Sequence, residues 1–284
     1  MELERHRRLH QRAFTLLELL VTLILVAVLL AILLPMTAGS HRGGRQVKDA
    51  TQLRQIHTAF LTWSRAFGGR FPTPGLITAT LDPAGATVEN DSLNTHANLY
   101  AASLSQNYFS AQLCISPAES SEKVKPATDY DYTKYAPSAG IFWDSSFRAD
   151  LDTTSNLSYG TMHLAGARLT RQWRESLDSR FAVLGNRGVR DGSTDPAVYG
   201  ASKTLRIHGS SNSWEGNIVY NDNHVAFETS FFSPNAAKLG PRGTVEDNFF
   251  RDDPEGAGAD MWLTMIKSTV IEGNGTAVPE CSWD

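Results

Sequence analysis

The sequence predicts an α+β chain: one long N-terminal helix, then a globular head built on an antiparallel sheet. Three observations predict it. Residues 14–34 form an apolar run with one charged member, Glu18. A second helical pattern follows, with apolar residues every three or four positions from Val47 to Phe67. Beyond it come short alternating stretches separated by turn residues, with few long helical patterns.

The apolar run holds 21 residues. As a helix it spans about 32 Å at about 1.5 Å per residue, close to the roughly 30 Å of bilayer hydrocarbon. The apolar region of a cleaved secretory signal is shorter, about 7–15 residues. Core helices that are apolar all round are seldom this long. The run therefore reads as a membrane helix whose threonines, Thr15 and Thr22, return their hydroxyls to the backbone. Arg5, Arg7, Arg8 and Arg12 precede it, while Arg42, Arg45 and Lys48 follow. The balance favours a cytoplasmic N-terminus, with the long polar remainder outside.

Glu18 is the anomaly. A charge deep in a bilayer costs about 2.5–3.5 kcal/mol on insertion scales. One reading is that Glu18, five residues in, snorkels to the headgroups. Another follows if the chain is cut between Ala13 and Phe14. Phe14 then carries an α-amino group, with a pKa of about 7.7–8.0 and so largely cationic at neutral pH. Glu18 lies one turn below it, and the two charges on neighbouring helices neutralise each other in apolar surroundings and set the register.

The stretch "AFTLLELLVTLILVAVLLAILLP" resembles the N-terminal segment of type IV pilins and type II secretion pseudopilins. In that family a prepilin peptidase removes a short basic leader before a Phe. The new N-terminus is methylated, and a Glu four residues on serves assembly. The resemblance puts the cut between Ala13, where Gly is usual, and Phe14. It gives Glu18 the assembly role and Pro35 the place of the proline many pilins carry. It implies a leader over 1–13, an assembly helix over 14–34 and a hinge and amphipathic continuation over 35–70. The head is then 71–284. Its implied partners are the prepilin peptidase and N-methyltransferase, other pilin or pseudopilin subunits and inner-membrane lipid. The expected place is the bacterial inner membrane, single-pass with the head extracytoplasmic, and then a filament. The large head favours a minor or specialised subunit.

The segment "PMTAGSHRGGR", residues 35–45, reads as a helix break. From Arg45 the stripe Val47, Ala50, Leu53, Ile56, Phe60, Trp63 and Phe67 defines one face. Gln46, Lys48, Asp49, Gln52, Arg54 and Gln55 are expected on the other. Gly68 and Gly69 stop the helix. In the head, residues 93–110 read as a helix with Leu99, Leu104 and Tyr108 inward. "TDYDYTKYAPSAGIFW" reads as a strand and "RFAVLGNRG" as a buried strand. "GNIVYNDNHVAFE" is the clearest hairpin.

That hairpin carries a second resemblance, to a planctomycete pilin-like subfamily with an H-x9-DG motif. Here "HGSSNSWEGNIVYNDNHVAFE" supplies His208, Asn217, Asp222 and His224. Thirteen residues separate His208 from Asp222 instead of nine, and Asn223 replaces Gly. Asn also tolerates positive φ, so the turn is kept. "CISPAE" is similar to the Cys-Pro segment of the same subfamily.

His208, Asp222 and His224 are the best candidates for a metal or acid–base cluster, but turn structure explains the last two equally well. No enzyme is expected: no Gly-x-Ser-x-Gly, P-loop or dinucleotide fingerprint is present. "RDDPEGAGAD" holds four carboxylates, a composition that suits Ca2+. It departs from EF-hand spacing, so a solvated acidic loop is preferred and no cofactor is expected. Cys114 and Cys281 are the two cysteines. In an exported domain they are available for one disulfide, the alternative being two free thiols. A net charge of −4 gives no sign of a general nucleic-acid binder. Two other readings remain: an anchored extracytoplasmic module binding a surface, glycan or DNA, and an anchored exported enzyme.

Overall fold

The computed structural model describes residues 14–83, 85, 88–240, 243–253, 260–273 and 277–284; for 32–41, 233–240, 243–245 and 277 it describes the backbone alone. The expected leader, with Ala13, lies outside the described residues. The chain divides into two compact units at Gly44/Arg45.

Helix α1 spans Leu16–Ser64. It passes through Pro35, so the break expected there does not interrupt the helix. A proline removes one N–H from the ladder, a loss that helix-favouring neighbours tolerate. The division into units falls instead at the end of the expected hinge, at Gly44. In the first unit the side chains of residues 14–31 are all exposed. Among the described residues no helix is long and apolar enough to cross a membrane. Within the 14–34 run the described side chains stop at Ala31, short of its end.

In the second unit the stripe of α1 builds the core. Leu53, Ile56, Phe60 and Trp63 are buried, as the spacing requires. Val47 is 66 % exposed and does not join them. Asp49 and Gln52, expected on the polar face, are buried. The stripe in fact runs 49–53–56–60–63, and Asp49 begins it. Beyond Ser64, Gly68 and Gly69 take φ of 65° and 79°. The Gly69 N–H closes on the Ser64 carbonyl at 2.9 Å, the glycine stop read from the sequence.

Two shorter helices follow. Helix α2, Pro74–Leu81, starts on Thr73, whose hydroxyl accepts from Leu76 N. Helix α3, His96–Ser105, starts on Thr95 in the same way. Leu99 and Leu104 are buried in α3, while Tyr108 falls beyond its end. The stretch expected as a tyrosine-rich strand is two 3-10 turns, 132–134 and 137–139, closed by a bridge between Ala136 and Ile141. Local bonds defeat the alternation: Asp131 Oδ1 accepts from Thr133 N, and Gly140 turns the chain at φ 72°.

The remaining elements are β1 (Tyr159–Met162), α4 (Gly166–Arg171), β2 (Ala182–Asn186), α5 (Pro196–Ala201), α6 (Leu205–His208), β3 (Gly216–Tyr220), β4 (Val225–Glu228), β5 (Phe232–Gly240), β6 (Gly243–Asn248), β7 (Leu263–Thr264), β8 (Ile266–Ile271) and β9 (Ala277–Cys281). The main sheet is antiparallel throughout, in the order β4-β3-β2-β1-β7. β5–β6 and β8–β9 are separate hairpins. Strands β1, β2 and β3 are buried at every residue, so both faces of the sheet centre are covered. Gly185 permits the tight β2–β3 pairing, since a Cβ there would sit 2.5 Å from Ile218 Cδ1. The expected buried strand and the hairpin are both present, the latter with Val219 opposite Val225.

Candidate functional site

The motif residues of the β3–β4 hairpin meet α1 at two points. At the first, Asp49 is fully buried. Its Oδ2 lies 3.0 Å from His208 Nε2 and accepts from Asn217 Nδ2 at 2.8 Å. Its Oδ1 accepts the Tyr159 hydroxyl at 3.0 Å. Asn217 Nδ2 also reaches the Gln46 carbonyl at 3.1 Å. Burial raises the carboxyl's pKa, but the His208 hydrogen bond and charge, with bonds from Ser116 and Asn217, outweigh it and hold the group below the usual carboxylate value. Against Asp49 the Tyr159 hydroxyl is pushed up, chiefly by its own burial and by the neighbouring carboxylate.

At the second point Asn223 sits at φ 69° at the hairpin tip. Its Oδ1 lies 3.0 Å from His57 Nδ1, and its Nδ2 donates to the Thr58 hydroxyl at 3.1 Å. His57 is fully buried and packs edge-on to Phe71 at 5.4 Å. Burial depresses its pKa to about 4, keeping the ring neutral. Asp49 and His57 are two turns apart, so the hairpin is fastened to the helix along its length.

The expected cluster of His208, Asp222 and His224 does not form. His208 is buried against Asp49, whereas Asp222 and His224 stay at the turn surface. Asp222 Oδ1 accepts from His224 N at 3.1 Å and meets its Nδ1 at 2.5 Å, an Asx turn. His224 stacks on Tyr220 at 4.5 Å. The arrangement joins helix to sheet.

The N-terminal site has its own geometry. Thr15 N and Thr15 Oγ1 both donate to Glu18 Oε2 at 2.9 Å, and Glu18 N donates back to Thr15 Oγ1 at 3.2 Å. Thr15 and Glu18 thus form a capping box, satisfying two otherwise orphaned donors of the first turn. Thr22 returns its hydroxyl to the Leu19 carbonyl at 2.8 Å. Phe14 is 75 % exposed. Residues 8–34 match the prokaryotic N-terminal methylation motif. The methylation motif contains Ala13, Phe14 and Glu18, and agrees with the type IV pilin or pseudopilin-like segment read from the sequence. No curated protein and no solved structure matches the chain.

The other candidates belong to the second unit. Asp247, Asp253 and Asp260 bring carboxylate oxygens within 4.8 Å of one another. Arg168 pairs with Asp252 and Asp260, so a protein cation already stands at this cluster. Much of the acidic loop, residues 254–259, lies outside the described residues. Cys114 and Cys281 are both free thiols, the second of the two arrangements the sequence left open. Cys114 is buried in a 3-10 turn, and burial pushes its thiol well up. Cys281 is held in β9 opposite Ile266, its thiol pushed up to about 11 by burial.

Two features escaped the sequence. Asp49 is one; its place on the apolar stripe was the available signal. The other is Arg187, 4 % exposed. It holds Glu119 through both guanidinium nitrogens at 2.8 and 3.1 Å and Asp284 at 3.0 Å. Nothing local marks that network, because its members lie 68 and 97 residues apart.

Proposed function

We propose that this chain is a structural, non-enzymatic subunit of a type IV pilus or type II secretion pseudopilus. A prepilin peptidase cuts between Ala13 and Phe14, and the new amino group is methylated. Residues 14–34 anchor the subunit in the inner membrane and then pack with the same segment of other subunits. The single observation that carries the reading is the methylation motif over residues 8–34. The exposure of every described side chain from Phe14 to Ala31 supports it, since such a surface needs lipid or other helices to cover it.

Glu18 then has two tasks. Through Oε2 it caps its own helix. Its negative charge faces the cationic amino group of Phe14 on a neighbour. The tasks separate by substitution. Glu18→Gln keeps a side chain that caps at the third helical position but removes the charge. Filament incorporation measured beside the parent is expected to fall for Glu18→Gln as far as for Glu18→Ala, with membrane insertion intact. If Glu18→Gln incorporates like the parent, capping alone explains the residue and the pairing is wrong.

A further inference from the structure

A groove runs between α1 and the segment after α3. It measures about 540 Å3 and lies wholly in the second unit. Small-molecule clefts span about 300–1,000 Å3. Gln55, Ala59 and Thr62, spaced at four and three residues on one side of α1, form one wall. Tyr108, Phe109 and Leu113 form the other. Gln52 fastens the two walls together: its Nε2 donates to the Gln112 and Ile115 carbonyls at 3.2 and 3.3 Å, on either side of Leu113. Beyond α3 the chain reverses at Asn107, φ 58°. The Asn107 and Tyr108 N–H groups close on the Leu104 and Ser103 carbonyls at 2.9 and 3.0 Å. That turn brings Asn107 to the groove.

The lining is neutral and mixed. Among the described residues no Asp, Glu, Lys, Arg or His lines it. Its deep part is apolar, for Ala59 and Phe109 are buried and Tyr108 adds a half-buried ring. Its polar groups are open: Gln55, Thr62 and Asn107 are exposed. The side-chain amides of Gln55 and Asn107 make no hydrogen bond among the described residues. Thr62 donates its hydroxyl to the Thr58 carbonyl at 2.8 Å, which leaves that oxygen an acceptor.

These groups select a ligand by its chemistry. An anion finds no cation in the lining. A wholly apolar ligand covers the two amides and leaves them unpaired. A peptide strand finds no free backbone edge, because α1 spends its N–H and C=O groups on its own ladder. A sugar ring meets every condition. Its C–H face covers the apolar part, and its hydroxyls donate to Thr62 and exchange bonds with both amides. We propose that the groove binds a neutral saccharide, held by Gln55, Thr62 and Asn107 over Tyr108 and Leu113. The site lies in the second unit and goes beyond the filament reading without depending on it.

The test uses the full chain in dodecylphosphocholine micelles, whose headgroup carries no sugar to compete. Cellobiose and its acetamido counterpart chitobiose are titrated in turn, with saturation transfer read on the sugar protons. Binding of at least one is expected, and it is unchanged between low and high salt because neither partner carries charge at the contact. The double variant Gln55→Ala with Asn107→Gly is expected to bind at least about tenfold more weakly. Both positions are exposed and Gly keeps the positive φ at 107, so thermal unfolding of this variant is expected to follow the parent's. A second variant, Thr62→Phe, fills the groove from an exposed position and is expected to give the same loss. Arg54→Gln replaces an exposed cation outside the lining and is expected to bind as the parent does. Binding of neither sugar overturns the site, and so does parent-like binding by the double variant or by Thr62→Phe. Binding that weakens with salt or with Arg54→Gln belongs to the cations and overturns it as well.

Discussion

Asp49 shows how much one misread residue carries. A carboxylate in a helix is expected to face water, and Asp49 sits among polar neighbours in sequence. Its spacing to Leu53, Ile56 and Phe60 puts it inside instead, where His208, Asn217 and Tyr159 replace its water. Removing one partner of such a buried pair costs about 3–5 kcal/mol, because the others are left buried and unpaired. Asp49→Ala is expected to lower the stability of the head by that order in urea unfolding, and a change below about 1 kcal/mol would show that the network is not sustaining the helix–sheet joint. The His208 and Asn217 positions were legible as a motif. Their common partner was not, because it lies 159 and 168 residues away.

At the scale of elements, patterns that depend on neighbours in sequence were readable. The stripe of α1, its glycine stop, the buried β2 and the β3–β4 hairpin all follow from apolar spacing and turn residues. The segment at 129–143 was not readable as alternation, because Asp131 and Gly140 make local bonds and turns that a strand pattern ignores. Asn223 joins both kinds of information. It supplies the positive φ of the turn and two bonds to α1. Asn223→Gly keeps the turn and loses the bonds, at a cost of about 1–2 kcal/mol. Asn223→Ala loses both and adds about 1–2 kcal/mol of left-handed strain. Thermal unfolding is expected to rank the parent above Gly and Gly above Ala; Ala equal to Gly would mean the backbone at 223 relaxes freely.

Over the whole molecule, buried histidines tie stability to pH. Burial holds His57 and His96 at about 4 and, with the charges of His96 and Arg168 adding to it, His163 at about 3. Each is easier to protonate unfolded, where its pKa is about 6.5. Stability therefore holds above about pH 6.5 and falls as pH is lowered toward 4, by up to about 1.4 kcal/mol per pH unit for each histidine. Asp49, held low, contributes stability above about pH 4 that is lost only below it. The urea midpoint is expected to drop from pH 7 to pH 5, and an unchanged midpoint contradicts neutral buried rings. The filament account itself rests on the N-terminus. Its most direct test is intact and N-terminal peptide mass spectrometry of the protein from its native membrane. The account predicts a chain beginning at Phe14 with one added methyl. A chain that keeps Met1 or Glu2 contradicts it, because Glu18 then has no α-amino partner.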